Sequence, residues 1–457
     1  MSKNKYFIIA YWAIFTLAII YFHSSHFFNG DEGVVLEGAW NLVNGKHLYT
    51  DFYEIVTPGS FFLVAWIWKI VGVSYWSARL AGMICLFLAG IGLFMSSRLL
   101  IKHWPSYLGP LLILISSINW PLINHNIYFL PFAVWSMYFF IKSLVHGSKL
   151  QRYALSGLLI GLGTLFLQHK GALIIAAGIT TLLILNFRNS SKIIDKKIFT
   201  YCLYAFLPIS LLFIFWPIDV LYANLITPLS GYIQSQELPV FNFYFTAVAL
   251  LVTVWMFRKN INPGARFLLI AQAFLLVGAA SSPVIPHITM ILFPVYILLP
   301  EIFLRLGETT LYIKYTLLGL YSIGVAAILL HAGSTALNTF KRPFFIQSGS
   351  FKEMTDKYCP GPYIYAGPWV PELYFETRKL NPTPYNMLID GAQSKEQFRN
   401  AVQLINKYKP TCALIFYSLA FRYGYTGNNV LELYLHNAYT PILKYGDVII
   451  ENRKPIN

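Results

Sequence analysis

Two carboxylates stand side by side in the run Asn29-Gly30-Asp31-Glu32-Gly33. A carboxylate next to a substrate can take a proton from an attacking hydroxyl or amine. Its neighbour can orient that nucleophile or help to hold a metal ion. Each also has a plain structural reading: Asp31 as the N-cap of a helix beginning near Gly33, and Glu32 as a first-turn acid favoured by the helix dipole. Lys170, in Gln168-His169-Lys170-Gly171, lies between two apolar runs. A cation there either reaches toward headgroups or binds an anion. Arg79, in Tyr75-Trp76-Ser77-Ala78-Arg79-Leu80, either reaches toward headgroups or pairs with a phosphate or a carboxylate; His169, beside Lys170, and His287, which follows Pro286 at a helix start, are further polar candidates. Asp51, Glu54 and Tyr53 read as loop structure or as contacts to a second substrate, and Asn124-His125-Asn126 reads as a polar turn. Tyr53, Trp66 and Trp76 fit the aromatic enrichment of membrane interfaces.

The elements that must position these groups are membrane helices. The 457 residues are 56% hydrophobic and only 12% charged, with a mean hydropathy of +0.56. An ordinary soluble domain carries about 25% charged residues. The composition excludes disorder, a nucleic-acid binder and an ordinary soluble enzyme. A span needs about 20 apolar residues. Candidates are Tyr6 to Phe22, read as an uncleaved anchor, and runs centred near Leu88, Leu114, Trp135, Ile160, Ile179, Ala205, Val252, Phe274, Tyr296 and Leu320, about eleven spans in all.

With the N-terminus inside, fifteen Lys and Arg residues fall in inside segments, against four outside before the tail: Lys46, Lys69, Arg79 and Lys170. The positive-inside rule supports that threading. It explains most of the net charge of +15 as topology rather than as a nucleic-acid signal. Five of the acids outside, Asp31, Glu32, Glu37, Asp51 and Glu54, crowd into the first outside loop. Transporters more often place key charges in mid-span.

An odd span count leaves the tail outside. Residues 1–335 read as the transmembrane domain, with residues 27–75 as its outside loop, and residues 340–457 as a small extracytoplasmic α/β domain. Tyr363 to Ala366, Cys412 to Tyr417 and Val448 to Ile450 read as strands. Lys395 to Tyr408 reads as an amphipathic helix through Phe398, Val402 and Ile405. Cys85 and Cys202 read as core residues, whereas Cys359 and Cys412 leave a disulfide open.

The first loop continues through a helical segment, Val34 to Asn44, then Gly45, Thr57-Pro58-Gly59 and the apolar stretch Ser60 to Val71, which is too short to span well and ends at Gly72. This order resembles the GT-C glycosyltransferases that use polyprenyl-phosphate sugars, above all the protein O-mannosyltransferases and the lipid A aminoarabinose transferases. Those enzymes carry an Asp-Glu pair after the first span, a juxtamembrane helix ending in Gly, a Pro-Pro-containing amphipathic helix, and an Arg near the next span. Thr57-Pro58-Gly59 stands where relatives have Pro-Pro, and Ile288 where many have Tyr after the His. The resemblance covers most of residues 1–310. It implies a multi-pass GT-C transferase of the cell envelope, of about eleven transmembrane helices, with its site facing away from the cytoplasm, by preference in a bacterial inner or plasma membrane.

What the resemblance implies for the chemistry is one inverting displacement. A hexose or pentose passes from an undecaprenyl- or dolichyl-phosphate carrier to an envelope glycolipid, polysaccharide or protein. Asp31 and Glu32 form the catalytic pair with Asp31 as base, and Lys170, His169, Arg79 and His287 bind the donor phosphate. Asp51, Glu54 and Tyr53 are acceptor or loop contacts. A divalent cation is left open, since two carboxylates are too few for a dedicated site. The rival reading is a transporter or flippase of lipid-linked sugars, for which no internal repeat is visible. A scaffold in an envelope-assembly complex is a third. The donor sugar and the acceptor are set by cavity shape and are not legible here.

Overall fold

The computed structural model describes all residues except 1, 25–29, 103, 119, 121, 189–194, 228–239, 258–260, 281–283, 309–310, 341–349, 391, 422–423 and 456–457. Asn29 of the acidic motif, and Lys192, Glu237, Arg258 and Lys259 of the charge threading, lie outside the described residues.

Each apolar centre expected from the sequence falls inside a helix. Six described helices are long and apolar enough to cross a membrane: Lys5–His23, Tyr75–Leu100, His125–Val145, Gln168–Arg188, Lys196–Phe215 and Lys314–Leu337. Ile285–Ile291 and Phe293–Gly307, bent by 61° at a short break, make a seventh if taken as one span. The expected eleven is not reached by length and composition among the described residues. The helix Leu108–Ser117 has 10 residues and Leu150–Thr164 has 15, short of the ~20 that span hydrocarbon without help.

The chain divides into two compact units, residues 1–25, 80–215 and 238–344 in one and residues 26–79, 216–237 and 345–457 in the other. The first outside loop therefore groups with the tail, where a linear boundary near residue 335 would have left it with the membrane helices.

In the membrane unit, helices approach closely through small residues. A Cβ on Gly157 would lie 2.3 Å from the Tyr201 carbonyl oxygen, and one on Gly161 the same distance from that of Ala205. This four-residue spacing of small residues lets the backbones of Leu150–Thr164 and Lys196–Phe215 meet, in a medium where packing rather than hydrophobicity drives association. Gln168–Arg188 packs on Leu150–Thr164 and on Pro263–Gly278. Asn124 caps His125–Val145 by accepting from the Asn126 and Ile127 amides, and Asn262 caps Pro263–Gly278 by accepting from the Ala265 amide.

The second unit holds a four-stranded sheet of β1 (Tyr365–Pro368), β2 (Cys412–Phe416), β3 (Tyr439–Tyr445) and β4 (Val448–Arg453), ordered β1-β2-β4-β3. β1 runs parallel to β2, with Tyr365 opposite Ala413, and the other pairings are antiparallel. Alternate residues of β2 feed two cores. Leu414 and Phe416 pack with Ile364, Val370 and Ile450, while Ala413 and Ile415 pack with Phe398, Ile405 and Leu435. Each large apolar side chain so buried contributes about 1.5–3 kcal/mol.

The amphipathic helix forms as expected over Lys395–Tyr408, with Ser394 and Gln397 making a reciprocal capping box and left-handed Lys409 ending it. β3 is an added strand. Cys359 and Cys412 form a disulfide.

Candidate functional site

The candidate residues fall into two polar centres, one in each unit. In the loop-and-tail unit the helix is Gly30–Val43, so Asp31 lies in its first turn rather than at the cap. Water reaches Asp31, yet the protein around its carboxyl desolvates it and pushes its pKa up to about 6. Glu32, one residue on, is fully buried and bound at both oxygens: Arg79 donates from Nε to Oε1 at 3.1 Å and from Nη2 to Oε2 at 2.8 Å. Such a bidentate pair is among the strongest side-chain contacts. The two acids thus take different environments although they are adjacent in sequence. Arg79, a phosphate candidate from sequence, meets a carboxylate of its own chain here.

Two further residues, not singled out by sequence, complete this centre. Tyr75 donates to Glu372 Oε1 at 2.5 Å, and the Arg79 guanidinium lies 5.1 Å from the Tyr75 ring centre. Tyr75, Arg79, Glu32 and Glu372 are each no more than 2% exposed. Glu372 comes from the tail helix Glu372–Thr377. The only advance sign of this closeness was the pair of glycines flanking the acids. A Cβ on Gly30 would sit 2.2 Å from the Trp369 ring, and one on Gly33 would sit 2.7 Å from the Glu372 backbone nitrogen.

The other loop acids are tied into the same unit. Asp51 lies at a surface turn, accepts from the His47 amide at 2.7 Å, and is held below the usual carboxylate range by that bond. Glu54 is buried and accepts from Asn386 Nδ2 at 2.8 Å, and burial pushes its pKa well up. Glu37 accepts from Asn381 Nδ2 at 2.9 Å, and burial pushes it up to about 8. Lys46 donates to the Asn381 carbonyl oxygen and is itself lowered by burial. The Tyr53 amide donates to the Pro384 carbonyl oxygen at 2.8 Å, and burial raises the Tyr53 hydroxyl to about 12. Tail residues 381–386 are therefore knit to the loop by hydrogen bonds.

The membrane unit holds the cationic centre. Lys170, in the first turn of Gln168–Arg188, is 8% exposed and donates to Asn126 Oδ1 at 2.5 Å. Among the described residues no carboxylate lies within ion-pair distance of it. His169 is within electrostatic reach of Lys170, His287 and His125. The His287 ring stacks on Trp120 with centroids 4.9 Å apart. Lys170, His169 and His287 are thus brought together as one group. Asn126 and His125, which the sequence presents as a turn, join them because Asn124 starts its helix at that point.

Among the described residues no group of three or more His, Cys, Asp or Glu side chains could hold a metal ion. Glu32 gives both oxygens to Arg79, which leaves Asp31 alone of the pair as a ligand, so these residues do not fit a dedicated divalent site. A separate apolar cavity in the membrane unit, lined by residues including Leu112, Phe245, Leu250, Tyr296 and Tyr321, contains none of these groups.

Residues 56–216 match the family model of dolichyl-phosphate-mannose-protein mannosyltransferases. No curated protein matches the chain in sequence. In structure the chain is similar to ArnT from Cupriavidus metallidurans. The apo form gives a TM-score of 0.62 at 12% identity, covering 98% of both chains. The form bound to undecaprenyl phosphate gives 0.59 at 11% identity, covering 99% of this chain and 98% of that one. The oligosaccharyltransferase of Archaeoglobus fulgidus, tethered with an acceptor peptide containing the NVT sequon, gives 0.56 at 12% identity, covering 99% of this chain and 74% of that one. These likenesses establish the fold. The chain is a polytopic helical protein that shares the fold of these structures and carries a small C-terminal α/β domain.

Proposed function

We propose that the chain is a membrane glycosyltransferase that moves one sugar from a polyprenyl-phosphate carrier to an acceptor outside the cytoplasm. The observation that carries this reading is the split fate of the acidic pair. Arg79 consumes Glu32, while Asp31 meets solvent with a pKa near 6. A base works best with a pKa close to the working pH. The mannosyltransferase model over residues 56–216 and the shared fold support the same class, and undecaprenyl phosphate bound to the similar ArnT supports the lipid carrier.

The step is one inverting displacement. The acceptor oxygen or nitrogen attacks the anomeric carbon, and the bond from that carbon to the phosphate oxygen breaks. Asp31 takes the acceptor proton, and the electron pair leaves with the polyprenyl phosphate. Lys170, with His169 and His287 beside it, neutralises the phosphate. A buried lysine whose partner is a neutral amide is an incomplete arrangement that an anion completes. Arg79 serves Glu32 instead, and Asp51, Glu54 and Tyr53 hold the loop to the tail. The acceptor is an envelope glycolipid, a polysaccharide or a protein hydroxyl. The tail faces an oxidising, extracytoplasmic space, which its disulfide supports.

The test places the full chain in liposomes with a panel of radiolabelled undecaprenyl-phosphate hexoses and pentoses and an envelope extract as acceptor. Release of undecaprenyl phosphate with transfer of label, abolished in Asp31→Asn, is expected. Donor crossing the bilayer with no release would instead make the chain a transporter.

A further inference from the structure

The sequence reads the tail as a separate α/β domain, and the reaction just described does not use it. Yet the tail reaches the first turn of the helix that carries Asp31, at three points. The Trp369 ring lies against Gly30, where a Cβ would be 2.2 Å from it. The Glu372 backbone nitrogen lies against Gly33, where a Cβ would be 2.7 Å away. The Glu372 carboxylate accepts from the Tyr75 hydroxyl at 2.5 Å, and the Tyr75 ring lies beside the guanidinium that clamps Glu32. Asp31 therefore sits in a turn held on its flanking glycines by tail backbone and ring, and on its neighbouring residue by a buried chain running Glu372, Tyr75, Arg79, Glu32.

We propose that Glu372 is a positioning residue for Asp31, acting through Tyr75 and the Glu32–Arg79 pair, so that the tail sets the direction and hydration of the base. The proposal rests on the assignment of Asp31 as base. Three physical facts favour it over a merely structural contact. All four side chains of the relay are buried, so each bond is made in a low-dielectric setting where its geometry is strongly enforced. The relay ends on the residue adjacent to Asp31 in the same helical turn, so a shift at Glu372 has a buried route toward the reacting carboxylate. Positioning errors of about one ångström cost about 100-fold in rate. Finally, both contacts of the first turn fall on glycines, where the tail comes closer than any side chain would permit.

We tie the desolvation that raises Asp31 to these same contacts: loosening them should admit more water and return the carboxyl toward its ordinary range.

The experiment uses the full chain in liposomes and two substitutions, Tyr75→Phe and Glu372→Gln. The first keeps the ring and removes the bridging hydrogen bond, the second keeps an acceptor at that position, and thermal unfolding in detergent checks that each variant is folded. Two readouts are taken. One is the turnover of whichever undecaprenyl-phosphate sugar wild type consumes. The other needs no substrate: infrared titration of the Asp31 carboxyl, obtained as wild type minus Asp31→Asn. Each substitution is expected to lower kcat about tenfold with little change in KM for the donor. Each is also expected to move the Asp31 midpoint from about 6 down toward the ordinary carboxylate value near 4. The double variant should be no worse than either alone, as for residues acting in one relay. A folded Tyr75→Phe protein with wild-type kcat and an unmoved midpoint would overturn the positioning role and leave the base assignment standing. Donor turnover undiminished in Asp31→Asn would instead remove the base assignment on which the role rests.

Discussion

The two polar centres of this chain solve the problem of buried charge in opposite ways. In the loop-and-tail unit the central charge is matched within the protein: Arg79 grips Glu32 with two bonds, and beside that pair Tyr75 donates to Glu372. In the membrane unit, Lys170 is buried against a neutral amide oxygen, with the His169 imidazole within electrostatic reach. A charge matched within the fold is a structural part. A charge that the fold leaves without an opposite partner among the described residues is held at a cost in stability that a ligand can offset. The contrast is the ground on which we propose scaffold work for the first centre, with Asp31 as its reactive edge, and anion binding for the second.

The contrast breaks most decisively at Asp31. Its replacement by Asn is expected to reduce transfer by about 100- to 10,000-fold, the range of a lost general base, with little loss of stability because water reaches the side chain. Arg79 and Lys170 then separate the two centres by stability. Arg79→Met strands Glu32 as a fully buried charge and should cost about 3–5 kcal/mol, read as a fall in the thermal unfolding midpoint in detergent. Lys170→Met removes a buried cation that has no acid partner among the described residues. It should leave that midpoint close to wild type while weakening undecaprenyl phosphate binding about 100-fold. Equal stability losses in the two variants would erase the distinction.

The smallest effect concerns pH. Glu37 has a folded pKa pushed up to about 8 from an ordinary value of 4.5. The folded state then holds a proton that the unfolded state has lost, so stability is highest below pH 4.5 and declines as pH rises toward about 8. Glu37→Gln should flatten that slope, measured as the unfolding midpoint between pH 5 and 8.

How far the sequence carried can be read at particular residues. The helices were legible because long apolar runs have few alternatives. Their number as spans was not, since a run such as Leu108–Ser117 looks continuous with its flanks and yet gives a helix of 10 residues. β3 escaped notice because it contains Pro441 and exposes nearly all its side chains, so no buried face imprints a period of two. Asp31, Glu32, Lys170, His169 and His287 were picked by type and place. Their partners were not, because Glu372 lies more than 300 residues from Glu32 and nothing local marks it. Arg79 shows the limit most clearly: its type fits a phosphate or a carboxylate, and only the fold reveals that Glu32 is the group it meets.

The central claim is that Asp31 is a desolvated base in a sugar transfer. The most direct test is the pH dependence of kcat/KM for undecaprenyl phosphate release by the intact chain. The rate should climb tenfold per pH unit below about 6 and level off above it as Asp31 ionises. A rate independent of pH from 4 to 8, or one whose acid limb survives unchanged in the residual activity of Asp31→Asn, would contradict the account.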